Sequence, residues 1–237
     1  MMRLCGGRKR LLTGCLVLTG CLVLTGCLVL TGCLGPKTVM EYREHALRLE
    51  LGIREASGPL GWTVGVRPVT AGRAVDQRLV YVDAEGVVHR YRDDGWAEPP
   101  AAAVYRGLVD ALRDSGAFAD VGNAADMVRP DILVTGELWE CAADFSADPP
   151  AGRVTLAVSA RVYRDRFMAL GRVITKSVPL AADTGEDNAS RNEPLRAARA
   201  LREALRQAVM EAAGLIIEEA AGWSARAASE TVGETKR

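Results

Sequence analysis

The chain has 237 residues, and thirty Lys+Arg balance thirty Asp+Glu for a formal charge of zero. Apolar residues make up 49% and charged residues 25%, which excludes a disordered chain, a collagen-like fibre and a polytopic membrane protein. The charge balance also argues against a general nucleic-acid binder, which carries a basic excess.

Arg3, Arg8, Lys9 and Arg10 open the chain, and no charge occurs from Leu11 to Pro36. A basic stretch followed by an uncharged apolar one is the layout of a secretory signal. Five of the six cysteines, Cys5, Cys15, Cys21, Cys27 and Cys33, fall in the first 33 residues; Cys141 is the sixth. A disulfide-stapled secreted domain needs an even set in its mature part, so export here comes without a disulfide framework. Leu-Thr-Gly-Cys recurs at 12–15, 18–21, 24–27 and 30–33. Each copy resembles a bacterial lipobox, in which small residues precede a cysteine. The resemblance implies a lipid on the thiol, cleavage before the cysteine and acylation of the new amino group. An uncleaved helix is the competing reading, since an uncharged run of this length can span a bilayer. A metal or disulfide face is disfavoured by geometry. Six residues advance a helix by about 600°, so successive cysteines point roughly 240° apart.

Cys33 is the favoured lipidation site, because Gly35, Pro36 and Lys37 follow it like the start of a tether; Cys27 is the alternative. Cleavage before Cys33 removes four basic residues and leaves 26 basic against 30 acidic, a net charge of −4. Leu34, not Asp, follows the cysteine. By resemblance to Gram-negative lipoproteins, this favours the outer membrane, with the protein facing the periplasm. The expected organisation is a signal peptide at 1–32, a tether at 33–44, one domain at 45–223 and a polar tail at 224–237.

In the body, Leu47, Leu49 and Leu51 alternate with polar residues and predict a strand, with a helix over 40–51 as the alternative. Trp62, Val64 and Val66 predict another strand. Two apolar runs, 79–82 and 87–91, flank Asp83-Ala84-Glu85-Gly86 and predict a hairpin. Pro99 and Pro100 mark a helix start, where no amide donor is needed. Val104, Leu108 and Leu112 give that helix an apolar stripe, and Gly116 ends it. A brief strand is expected at 118–121. Strands over 132–141, 153–162 and 172–180 form an antiparallel meander. A long helix starts near Pro194 with Leu195, Ala198, Leu201, Leu205, Val209, Ala212 and Ile216 on its apolar side and Trp223 at its end. Residues 224–237 are expected to fray. The fold class is mixed α/β: one mostly antiparallel mixed sheet with two main helices packed on it.

Catalytic patterns are scarce. His45 and His89 lie at no metal spacing, and there is no nucleophile elbow, phosphate loop or dinucleotide fingerprint. No cofactor is expected. Cys141 reads as a buried inert thiol. These features favour binding or assembly over an enzyme.

Arg78-Leu79-Val80-Tyr81, Val88-His89-Arg90-Tyr91, Gly95-Trp96-Ala97-Glu98-Pro99-Pro100, Leu108–Leu112 and Ser115-Gly116-Ala117-Phe118 occur in that order. This succession resembles the ABC-type transport auxiliary lipoprotein family, which includes lipoproteins similar to paraquat-inducible protein C. The resemblance implies a non-catalytic subunit of a lipid transport system. Its partners would be an ABC ATPase and permease and a bridging protein of mammalian-cell-entry type, and it leaves a homo-oligomer open. A periplasmic regulatory or secretion-assembly lipoprotein is the alternative. Tyr91, Trp96 and Glu98 are the candidate partner-binding residues, since loop aromatics serve as interface anchors; core packing competes for Trp96. If that loop is structural, the outer face of the 153–161 strand is the next place for a docking surface.

Overall fold

The computed structural model describes residues 42–52, 58–163, 169–181 and 189–234, and within the last segment the side chains of 193–229. Cys27 and Cys33 lie outside these residues. Along the described chain run β1 (Arg43–His45), β2 (Thr63–Val66), β3 (Thr70–Ala71), β4 (Arg78–Val82) and β5 (Val88–Trp96). They are followed by α1 (Pro100–Asp114), β6 (Asp120–Asn123), β7 (Ile132–Asp144), β8 (Ala151–Val162), β9 (Ala169–Pro179) and α2 (Ala189–Glu234).

β7 is the spine of the sheet. β8 pairs antiparallel along its length, and β9 pairs antiparallel with β8. The other edge of β7 is covered by three short parallel partners in succession: Val64 opposite Ile132, Thr70 opposite Glu137, Tyr81 opposite Ala143. The segment from Thr63 to Val82 thus travels beside β7 in its own direction, with an excursion between β3 and β4. β5 returns antiparallel to β4, and β1 closes that side in parallel with β5. β6 lies outside β2. The long pairings are antiparallel and the short ones parallel, so the sheet is mixed and open.

The helices share one face. Val154, Leu156, Val158 and Ala160 of β8 are buried beneath them, and the residues between point to the opposite face. α1 starts on Pro100 with Pro99 as its cap, and buries Val104, Leu108 and Leu112. Its end is held by Ser115, whose hydroxyl donates to Leu112 O at 2.7 Å, and by Gly116 at φ +64°. α2 buries Ala198, Leu201, Leu205, Val209, Ala212, Ile216 and Trp223, but Leu195 is exposed. Small side chains bring α2 close. A Cβ on Gly152 would lie 2.8 Å from Leu201 N and 2.9 Å from the carbonyl carbon of Ala200. No helix among the described residues is long and apolar enough to cross a membrane.

Three expectations are corrected. Leu47–Leu51 is not a strand. Its leucines pack into the core beside α1, so the alternation marks an extended chain, while ladder pairing needs a free edge. That edge, on β5, is reached earlier, and it draws Arg43 and Glu44 out of the expected tether into β1. The brief strand runs from Asp120 to Asn123, because Phe118 turns into the core and Ala119 N donates to Trp62 O at 2.9 Å. The residues after Trp223 do not fray at once; α2 continues to Glu234, helped by Trp62 Nε1 donating to Ser224 Oγ.

Candidate functional site: the open face of the sheet

The structure does not gather Tyr91, Trp96 and Glu98 on one surface. Trp96 is 1% exposed. Its amide donates to Gln77 O at 2.7 Å, and Gln77 Nε2 donates back to Trp96 O at 3.3 Å. The indole is a core anchor, and burial removes it from the set of residues a partner can touch. Tyr91 is half-buried, packs on Tyr81 at 4.6 Å between ring centroids, and donates to Glu193 Oε1 at 2.8 Å. Burial, and then the Glu193 carboxylate, push its phenol well above the usual tyrosine range. Tyr91 therefore ties β5 to the start of α2. Glu98 is half-buried like Tyr91, and pairs with the exposed Arg106 of α1.

The buried polar groups serve the fold. Asp94 is 3% exposed; it accepts from Arg43 Nη2 at 2.8 Å and pairs with His45 Nε2 at 2.9 Å. This carboxylate holds β1 to β5 from both ends of the short strand. His89 pairs with Asp83 Oδ2 at 2.6 Å and stacks on Tyr81. Asp144 accepts from Ser146 and from Arg153 Nη2 at 2.7 Å, and these donors, Ser146 first, hold its carboxyl below the usual range. Cys141 is buried, and burial with nearby Glu140 pushes its thiol up to about 12. A thiolate is thereby disfavoured. Among the described residues no cluster of His, Cys, Asp or Glu could hold a metal ion.

Among the described residues the face opposite the helices is largely uncovered. Thr135 and Ser159 meet across β7 and β8 at 2.8 Å. A bulge between Leu138 and Glu140 leaves Trp139 45% exposed, and Val173 on β9 is 56% exposed. Between them lies an open trough of about 580 Å³ with Arg67 at one end and Glu137 on its wall. Two further clefts adjoin Arg67. One, about 550 Å³, is lined by Leu133, Arg161 and Tyr163; the other, about 470 Å³, by Met127, Arg129 and Tyr163. The connection between β6 and β7 crosses this face over β2. It can do so because Gly65 has no side chain: a Cβ there would sit 2.6 Å from Pro130 Cγ.

Arg67, Arg129 and Tyr163 were not legible as site residues. They lie on three connections that only the sheet order brings together. The polar positions of β8, Arg161 among them, did carry a signal, since strict alternation marks one face as uncovered. The trough lies on that face.

The sequence pattern of the ABC-type transport auxiliary lipoprotein component family matches residues 52–213. Among solved structures, a Xanthomonas campestris protein of the DUF330 family is similar at a TM-score of 0.62 and 21% identity, covering 76% of this chain and 98% of its own. An uncharacterized protein is similar at a TM-score of 0.53 and 13% identity, covering 73% of this chain and 98% of its own. At such identities the likeness concerns the fold. No curated protein matches the sequence. The family match spans well over half of the chain, and so the chain belongs to the ABC-type transport auxiliary lipoprotein component family.

Proposed function

We propose that this protein is a non-catalytic, lipid-anchored subunit of an ABC-type lipid transport system, docked to a periplasm-spanning partner of mammalian-cell-entry type. The observation that carries the reading is the family match over residues 52–213. The anchor is assigned to lipid on Cys33, with Cys27 as the alternative, and the outer membrane is the assigned location. A single acyl chain gives only marginal binding, of order 10⁴ M⁻¹, so stable anchoring takes the second acylation that a new N-terminal cysteine would offer. A tagged full chain, extracted in mild detergent and analysed by quantitative mass spectrometry, tests the function. Enrichment of an ABC ATPase, its permease and the bridging protein is expected. Recovery of the protein with none of the three overturns the proposal.

A further inference from the structure

We propose that the basic clefts around Arg67 on the open face dock an acidic, extended segment of a partner protein. The inference rests on the reading that this chain works as a subunit among other proteins.

Three exposed arginines meet here from separate parts of the chain. Arg161 stands opposite Leu133 in the β7–β8 register, and the Arg67 amide donates to Val134 O at 2.9 Å on the other side of β7. Gly65 is the residue opposite Leu133 on that side, two before Arg67, and Arg67, Leu133 and Arg161 line one cleft. Arg129 comes from the loop that crosses the face, and lines one cleft with Arg67. Among the described residues no carboxylate lines either cleft, and none of the three arginines is ion-paired to a described residue. The nearby Asp131 is committed elsewhere: it accepts from Thr63 N at 3.0 Å and Thr63 Oγ1 at 2.8 Å. Unpaired guanidiniums in fixed positions suit carboxylates, which they can grip with two parallel hydrogen bonds.

The apolar side of the site is equally specific. Tyr163, 64% exposed, lines both clefts and Met127 lines one of them, with Val128, 97% exposed, following it on the crossing loop. Arginine with tyrosine and methionine is the composition of protein interfaces. An anionic membrane surface is the other partner such a patch could take, but the surroundings disfavour it. Glu137 lines the adjoining trough and Asp126 stands beside Met127. From Leu11 onward acidic residues exceed basic ones, 30 to 26. A flat anionic bilayer would press against those acids as well, whereas a narrow segment meets only the arginines.

The test uses the full chain in a neutral detergent. The probe is a fluorescent ten-residue peptide of alternating Glu and Leu. Its Gln counterpart is the control, and nanodiscs of phosphatidylcholine with or without phosphatidylglycerol form a second arm. The acidic peptide should bind with an affinity that falls as salt rises, and the Gln peptide should not bind. Arg67→Glu with Arg161→Glu should weaken binding at least tenfold, while Arg92→Glu on β5 should leave it unchanged. Arg161→Gln, which preserves bulk, should act in the same direction and guards against misfolding of the double variant. Equal binding of both peptides, or binding indifferent to these arginines, overturns the proposal. So does arginine-dependent binding to phosphatidylglycerol discs without peptide binding, which makes the patch a lipid contact. If the bridging protein co-purifies equally with wild type and double variant, the proposed function stands and this docking site falls. If the peptide binds but no transporter component ever co-purifies, the reverse holds.

Discussion

At the scale of single residues, the aromatic side chains of β5 act inward. Trp96→Ala should cost about 3–5 kcal/mol of folding stability, the usual penalty for emptying a buried aromatic site. Urea titration of wild type and variant would measure it, and a loss below about 1 kcal/mol would place the indole outside the core. Glu98→Ala should cost less than about 1 kcal/mol, because its pair with Arg106 is at the surface. Tyr91 adds a pH dependence. Its folded phenol titrates above the unfolded value near 10, so its contribution is complete below pH 10 and is lost as pH rises through the folded value. Wild type should therefore lose stability between pH 9 and 11 more steeply than Tyr91→Phe; parallel curves would show that Tyr91 is not the group responsible. At pH 8, iodoacetamide should modify Cys141 only after denaturant is added, as peptide mass mapping can show.

At the scale of elements, close approach matters more than propensity. Gly152 lets the backbone of α2 rest directly on β8. In Gly152→Ala the new methyl meets backbone atoms, which cannot rotate away as a side chain would. We expect a loss of about 1–3 kcal/mol, the range for overpacking. A melting midpoint equal to that of wild type would mean that α2 shifts freely on the sheet. The length of α2 follows the same logic. From Pro194 to Trp223 it covers roughly 45 Å at 1.5 Å per residue, close to the roughly 43 Å of the 13-residue β7. Beyond Trp223 the described side chains are mostly exposed. Deleting residues 226–237 should change stability by no more than about 0.5 kcal/mol, and a larger drop in thermal unfolding would reveal packing beyond the sheet.

At the scale of the whole molecule, both helices lie on one face, and the open face with its arginines is left for a partner. Three short parallel strands share one edge of β7, so the core depends on pairings distant in sequence. On the proposed reading, membrane attachment is a separate property, encoded before the domain. Replacing Cys15, Cys21, Cys27 and Cys33 together by Ser should abolish metabolic labelling with a fatty acid. Cys33→Ser alone should not, because the proposed assignment makes the four boxes redundant. Acylation that persists in the quadruple variant would refute the lipobox assignment.

The sequence by itself determined the elements whose patterning is local. The β4–β5 hairpin, α1 with its proline start and glycine stop, the β7–β9 meander and the apolar side of α2 follow from periodicity and turn chemistry, which act within a few residues. The family could be recognised for the same reason, since its succession of motifs is linear. Tertiary structure alone decided pairing and burial. Leu47–Leu51 has a strand's alternation but no open edge beside it, whereas Arg43–His45 has the edge of β5. Trp96 has the chemistry of an interface anchor, but β1, Gln77 and the core enclose it. Arg67 and Arg129 are unremarkable in the chain, and join Arg161, which the alternation of β8 had placed on the outer face, because the β6–β7 connection crosses that face at Gly65. Strand order and crossover position are settled by contacts between segments tens of residues apart, and no local pattern encodes them.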